Sequence, residues 1–587
     1  MRIVRLAIER FRTIRELTYF PSAKNALLGP NNIGKTAILE ALNLLLTPHA
    51  SSRTSLVDEN DFFRREYILQ GDGTQPSIRI EAVITGLNDE DADKFDSAVV
   101  PWREATRSII ERSDAGVDPF ADAERAIRPS FEAWYDEAED AFDWVTFHRT
   151  DQLLPREQCP HFTREQKRHI GFLIYRDFRA LHRPITLEQS ALFDRVLAAK
   201  NAGARNFDSI FDHLAGSGAP LFADEQFKEA VKAFGDELAR YLPISASDMP
   251  LRFEATDRTR TQARTALQMY VEGTMSLPLQ KHGAGTRSLA ILAMLLVILR
   301  TRGRGILALE EPETFLFPHA QRRVIDEVQK LADQLFVTTH SPTVLERLPM
   351  DGLYRVQRSD DGEMTATPVA TDEAIVKNMR RRLRRQLAEA LLGRAAVVVE
   401  EESTRVWLLQ ASTAMDGETV NGEVCESFDL GGISVVSADG NGEVAELCDT
   451  LMRAGVTAFG LVDSTRGKLP LDSVRFPGAR IVFHDAQGLE DLLLAALPRE
   501  LLAEAMTEAP FVKEHSDASP LKELDDAAFQ AKAREFLRHN KGSIPFHEWL
   551  AERTPLQSIP NAFRDAVLLA QRVAGGRERL TEAKRSL

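Results

Sequence analysis

The chain has 587 residues, 43 % of them hydrophobic and 27 % charged, with a formal net charge of −15. A single core stops growing well below that length, so two or three domains are expected. The acidic balance excludes a general coat of positive potential, and any nucleic-acid contact must come from local patches. No apolar run approaches the roughly 20 residues that span a bilayer, so a cytoplasmic protein without membrane contact is expected. Cys159, Cys425 and Cys448 are scattered, with no Cys-x-x-Cys spacing, and read as reduced thiols.

The first twenty residues alternate apolar and polar. They are followed by "NALLGPNNIGKTAILEALNLLL", a short strand, a Gly-rich turn and an amphipathic helix. Ser77 to Leu87 reads as further strand. From about Asp89 to Leu242 the charged pattern predicts helices rather than a continuing sheet. Strand signals return at "ALQMYVEG" and "GILALEEPE", with the apolar helix "SLAILAMLLVILR" between them. The densest basic run, Lys377 to Leu387, reads as one face of a linker helix. Beyond it, "AAVVVE", "GISVVSA", "TAFGLVD" and "ARIVFHD" alternate with helical stretches, the pattern of a small parallel α/β domain. The tail from about Arg499 reads as helical and polar.

"GPNNIGKT" fits the phosphate-binding pattern G-x-x-x-x-G-K-[ST] between a strand and a helix. Backbone amides around Gly29 to Gly34, from Gly29, Asn31, Asn32, Ile33 and Gly34 with Pro30 in the turn, would form an anion nest at the helix N-terminus. Lys35 would reach the outer phosphates of ATP, and Thr36 would ligate Mg²⁺. "GILALEEPE" delivers Glu310 and Glu311 at a strand end, where one acid holds the metal and the next orients the attacking water. Glu310 is assigned to the metal and Glu311 to the water. "FVTTHSP" follows, its strand ending in His340, an imidazole within reach of the γ-phosphate.

In this order these motifs resemble the ATP-binding-cassette class, specifically its RecF/SMC-like branch. That resemblance implies a signature loop acting across a homodimer, matched by "LQKHGAGTRSLAIL" with Gly283, Gly285, Thr286 and Arg287. Gly283 stands where the usual serine would be. "RFRTI" implies that Arg12 lies near the nucleotide.

Glu400 after one strand and Asp463 after a later one resemble the Toprim arrangement, which binds divalent metal. A cassette ATPase with a helical insertion followed by Toprim resembles the OLD (overcoming lysogenization defect) family. The resemblance implies an α/β fold: an ATPase domain at 1–158 and 246–371, a dimerisation insertion at 159–245, a linker helix at 372–393, Toprim at 394–498 and a helical part at 499–587. It implies ATP-dependent cleavage of DNA in phage defence or DNA processing, with Mg²⁺, Mn²⁺ or Ca²⁺ at the Toprim site. Lys541 matches the lysine such nucleases place near the scissile phosphate.

Three positions depart from the family's pattern. Glu401 replaces a glycine, and Thr404 and Thr465 replace acids. Two-metal cleavage needs carboxylates around ions about 3.5–4 Å apart, and threonine is a poor neutral substitute. Glu401, Glu402, Asp485, Glu490 and Asp491 are the acids placed to compensate, with Glu490 taken as a metal ligand. The competing expectation is an ATPase sensor or scaffold whose Toprim domain no longer cuts and binds nucleic acid or a partner effector protein.

Overall fold

The computed structural model describes residues 1–48, 56–68, 75–110, 120, 122–176, 225–241, 251–255, 267–271, 277–278, 281–303, 305–369, 384–438, 440–463, 475–484, 486, 488–510, 512, 515, 521, 524–581 and 584–586. The chain divides into two compact units, Met1–Thr367 and Pro368–Leu587.

In the first unit the strands Phe172–Tyr175, Ile306–Glu310, Gln334–Thr338, Lys24–Leu28 and Leu353–Arg358 run parallel and adjacent, in that order. Ile306–Leu309 and Gln334–Thr338 are buried along their whole length, as strands covered on both faces must be. The sheet continues through Glu363–Pro368 and Ile14–Tyr19 into the antiparallel strands Arg2–Phe11 and Ser77–Thr85. Helix Lys35–Leu46 packs Ile38, Ala41, Leu42 and Leu45 against this sheet.

The helical reading from Asp89 does not hold over the described residues of 99–148. That stretch supplies the antiparallel strands Val99–Arg103, Ser108–Ile109, Glu124–Ile127, Pro129–Asp136 and Ala141–His148. Their charged residues form the solvated face of a sheet, a period of two that a charge-rich composition obscures. Within the segment read as an insertion, Phe172–Tyr175 is a strand of the central sheet and Glu225–Ala239 is a helix packed on helix Ala284–Arg302. Residues 177–224 of that segment lie outside the described residues. Helix Ala284–Arg302 is long and apolar enough to cross a membrane, but Leu289 to Leu299 are buried inside the unit.

Two buried amides hold this sheet in shape. Ile3 N donates to Gln334 Oε1 at 2.8 Å, and Gln334 Nε2 donates to Ile3 O at 2.8 Å and Ser22 O at 2.9 Å. Along the hydrogen-bonded order the strands of Ile3 and Gln334 are separated by Lys24–Leu28, Leu353–Arg358, Glu363–Pro368 and Ile14–Tyr19. The Gln334 side chain therefore closes a curled sheet on itself. Asn25 does similar work, accepting from Tyr19 Oη and Ser22 N at 2.8 Å each and donating to Leu335 O at 3.0 Å.

The second unit holds five parallel strands in the order Ile433–Ser437, Ala395–Val399, Thr457–Asp463, Ile481–His484 and Lys584–Ser586. The tail read as helical supplies helices Arg499–Glu508, Asp526–His539, Ile544–Glu552 and Asn561–Ala574, and its end returns as the fifth strand. Of the linker segment, 372–383 lies outside the described residues, as does the basic run up to 383; Arg384–Leu392 is helical.

Gln334→Met keeps the volume but leaves the buried Ile3 N–H and C=O without their partners. At 1–3 kcal/mol per unsatisfied buried group, a loss of about 3 kcal/mol is expected, read as a lower urea midpoint for the first unfolding transition.

Candidate nucleotide and metal sites

Strand register assembles the first site. Glu310 is level with Thr338, Thr338 with Leu27, and Arg355 with Leu28. The segment from Gly29, the Glu310–Glu311 pair and the Thr339–His340 pair therefore leave the sheet at one edge. That edge is the carboxyl end of parallel strands, where α/β sheets take ligands.

Gly34 has φ +112°, and a Cβ there would collide with Met364 and lie 2.9 Å from Thr13 Oγ1. The turn demands glycine on both counts. Helix Lys35–Leu46 begins at Gly34 with no side-chain cap, so its first amides face the loop. Pro30, Asn31 and Asn32 form the outer arc of that loop, and Ile33 packs on the core. Lys35 Nζ donates to Gly29 O at 2.7 Å and Pro30 O at 2.8 Å. Burial brings its pKa down to about 8, with Glu311 pulling it up and Arg355 pushing it down. Thr36 is exposed and Glu310 half-buried. A cradle of uncapped amides, an ammonium and an exposed hydroxyl beside an acid fits ATP with a divalent cation.

Glu311 sits at φ +43°, with its N–H donating to Thr338 O at 2.9 Å and its carboxylate 3.9 Å from His340 Nε2. Burial lowers the His340 pKa; Lys35 lowers it further and Glu311 opposes. Lys35, Glu311 and His340 are thus within electrostatic reach of one another.

Three residues not assigned from the sequence belong to this edge. Glu313 Oε1 accepts from Thr339 Oγ1 at 2.8 Å and His340 N at 2.7 Å, tying the two loops together. Its carboxyl is raised by burial. The last acid of "EEPE" was the available signal. Arg355 is buried within strand Leu353–Arg358, level with Leu28, and its charge acts on Lys35. Arg176 donates to Glu40 of the P-loop helix and feels both Glu310 and Arg12. Arg12 itself donates to Asp61 Oδ1 at 2.8 Å. Gly283 caps helix Ala284–Arg302, and Gly285 lies against the backbone of Phe315, where a Cβ would be 2.8 Å from Phe315 O. Among the described residues no hydrogen bond or ion pair joins Gly283, Gly285 or Thr286 to the P-loop.

The second unit repeats the principle with acids. Val399 is level with Leu461, and Asp463 with His484. Glu400, Asp463 and His484 accordingly end three adjacent parallel strands, and they line one pocket with Glu401, Thr404 and Lys541. A Cβ on Gly488 would be 2.7 Å from Glu490 Oε2 and 4.0 Å from Asp463 Oδ2, so both carboxylates flank this glycine. The Glu400 carboxyl is pushed up to about 7 by burial first, then by Asp463, Glu401 and Glu490, with Lys541 opposing. Convergent carboxylate oxygens fit a hard divalent cation.

Among the described residues, no group of three or more His, Cys, Asp or Glu side chains is placed to hold a metal ion. Of the compensating acids, Glu402 pairs with Arg405 at 2.6 Å, Asp491 with Arg534 at 3.1 Å and Glu401 with Lys541 at 2.9 Å. Glu490 is the one brought to Asp463. Thr465 and Asp485 lie outside the described residues. His484 escaped the sequence reading because its place depends on the register with Asp463.

Burial pulls the Lys541 ammonium down, but Glu401, Glu490 and Glu400 outweigh it and hold its pKa above the ordinary lysine value. Behind it, His547 Nδ1 accepts from Trp407 Nε1 at 3.2 Å, which leaves Nε2–H to donate to Lys541 O at 3.1 Å. This geometry requires neutral imidazole, and burial lowers the His547 pKa to about 4. The folded state then binds fewer protons than the unfolded state between pH 4 and 6.5, so stability is present above pH 6.5 and lost as pH falls toward 4. His547→Gln, which keeps one acceptor and one donor, should flatten that acid slope in urea titrations of the second unit's transition.

Over residues 24–346 the chain matches the family described as AAA domain, putative AbiEii toxin, Type IV TA system. It is 25 % identical over 455 residues to the OLD nuclease of Thermus scotoductus, covering 73 % of this chain and 77 % of that protein. Among solved structures it resembles an Smc head domain with an extended coiled coil bound to the C-terminal domain of ScpA, from Pyrococcus furiosus. That likeness has a TM-score of 0.39 and 13 % identity over 65 % of this chain and 99 % of that one. The SMC head domain from Thermotoga maritima gives 0.29 and 12 % over 63 % and 100 %. The match to the AAA-domain family spans more than half of the sequence, and the chain belongs to that family: it is a P-loop ATPase whose sequence is consistent with the OLD family.

Proposed function

We propose that the chain is an ATP-hydrolysing nuclease. Its first unit binds and hydrolyses ATP, and its second is a Toprim domain that holds a divalent cation and cleaves DNA. The observation that carries the second half is the pocket at the strand edge lined by Glu400, Asp463 and Lys541, with Glu490 close enough to raise the Glu400 carboxyl.

At the ATPase site, Lys35 and the amides from Gly29 to Gly34 bind the phosphates, while Thr36 and Glu310 hold Mg²⁺. Glu311 orients the attacking water, and His340 contacts the γ-phosphate and senses its charge. Gly283, Gly285 and Thr286 act on the nucleotide of a second copy in a homodimer. Arg12 lies near the same nucleotide. At the Toprim site, Glu400, Asp463 and Glu490 are the ligands for Mg²⁺ or Mn²⁺. When bound there, the cation would supply an activated water and neutralise charge on the phosphodiester. Lys541, held by His547 and Glu401, steadies the charge that develops on the scissile phosphate. A role in defence against phage fits this pairing of a nucleotide switch with a cutter.

A second reading is a sensor that binds a partner effector protein. It is favoured by Thr404, which lines the pocket where the resembled family carries an acid. Plasmid nicking separates the two. With Mg²⁺ or Mn²⁺ the intact chain should relax supercoiled DNA, and Asp463→Ala should lower the rate at least 100-fold while ATP hydrolysis persists. Lys35→Ala should abolish ATP hydrolysis. An intact, ATP-hydrolysing protein that leaves plasmid uncut with every cation would establish the sensor reading instead.

A further inference from the structure

The antiparallel part of the first unit carries a second polar cavity that the ATPase and Toprim sites do not use. Strand Ser77–Thr85 buries Ile78, Ile80 and Ala82 in the core shared with helix Lys35–Leu46. Its alternate residues Arg79 and Glu81 must then face the other side of the sheet. Glu81 is level with Ala7 on one neighbour and Ser130 on the other, two small residues that leave a depression around it.

Three guanidiniums converge on that single carboxylate. Arg128 Nε lies 2.8 Å from Glu81 Oε1, Arg5 Nη1 3.7 Å from the same oxygen, and Arg149 Nε 3.9 Å from Glu81 Oε2. Glu81 offsets one of these three charges; the wall also carries Arg79, paired with Glu9 and Glu132, so four guanidiniums face three carboxylates and the lining is positive by one. Arg128 is 6 % exposed, and although its Nε is close to Glu81 the N–H points off the oxygen and makes no hydrogen bond. The short distance marks an ion pair, and the misdirected N–H leaves a donor unused. Ser130 Oγ, buried in the same wall, also has no hydrogen-bond partner.

The depression continues sideways. Arg5, Arg128 and Gln152 line both it and an adjoining lobe that adds Arg107, Thr18 and Ser108. The two lobes hold about 320 and 470 Å³, within the range of small-ligand sites. Arginine forks suit tetrahedral, multiply charged oxyanions, which accept from several directions at once. Two bounded lobes of this size suit a compact ligand better than a nucleic-acid strand.

We propose that this two-lobed groove binds a small multivalent phosphate anion, of the kind a nucleotide's polyphosphate presents, independently of the P-loop. The site lies across one sheet from the P-loop helix, so its occupant touches the same strands that the helix packs on.

Tripolyphosphate is the probe, titrated calorimetrically into the full chain carrying Lys35→Ala so that P-loop binding is weakened. One equivalent should still bind. Arg149→Gln and Arg107→Gln, both at partly exposed positions, should each weaken it about 10-fold or more, with unchanged thermal melting showing that the fold is kept. Absence of binding in the Lys35→Ala chain overturns the proposal, as does binding that neither substitution changes. Displacement of the probe by a stoichiometric single-stranded oligonucleotide would overturn the choice of ligand, assigning the groove to nucleic-acid phosphates.

Discussion

Everything at the nucleotide edge depends on three strands ending at the same height, and a buried glutamine is what holds that arrangement in place. Gln334 begins the strand that ends in Thr338, and its amide carries both backbone bonds of Ile3. Near Ile3 the pairing of Arg2–Phe11 with Ser77–Thr85 slips register. A slip in a fully paired sheet leaves orphaned backbone groups. Here a side chain from a distant strand supplies the partners. The same residue takes Ser22 O just before Lys24–Leu28, the strand that launches the P-loop. Fixing Ser22 and Ile3 relative to Gln334 therefore fixes where Gly29 leaves the sheet relative to Glu310 and His340.

Both units use one geometric device with opposite electrostatics. In the first, the carboxyl edge gathers buried cations, Lys35 with Arg355 beside it, and the charged form of Lys35 is disfavoured. In the second, it gathers carboxylates, and the charged form of Glu400 is disfavoured. A group held against its preferred ionisation is stabilised by an arriving ligand of opposite sign. The first edge is prepared for phosphate oxygens and the second for a cation.

How much of this was legible in the sequence follows the range of each interaction. The P-loop and the Glu310–Glu311 pair were readable because their chemistry lies within a few consecutive residues, and Glu400 and Asp463 because each ends an apolar strand. Arg355, Arg176 and His484 were not, since what places them is the register between strands far apart in the chain. The stretch over 99–148 was read as helical because solvated strand faces carry as many acids and bases as amphipathic helices do. Aromatic alternation in "SFEAWYDEAEDAFDWVTFH" held the contrary signal, and the pairing of Phe131 with Thr146 and Ala133 with Trp144 shows it. Strand Lys584–Ser586 has three residues, too few for any periodicity.

The departures in the second unit are linked rather than separate losses. Glu401 stands where the resembled family has glycine, and its carboxylate takes Lys541 at 2.9 Å. An added acid next to Glu400 raises the repulsion there, and a lysine bound to that acid reduces it; both effects act on the Glu400 carboxyl. Glu490 meanwhile stands beside Asp463, restoring carboxylate near a strand end followed by Thr465. The pocket thus keeps negative charge close to Asp463 while Lys541 is anchored from two sides, by Glu401 in front and His547 behind. With its backbone fixed by His547 and its ammonium already placed by Glu401, Lys541 costs little reorganisation when a phosphate arrives, provided a cation takes over the charge of Glu401.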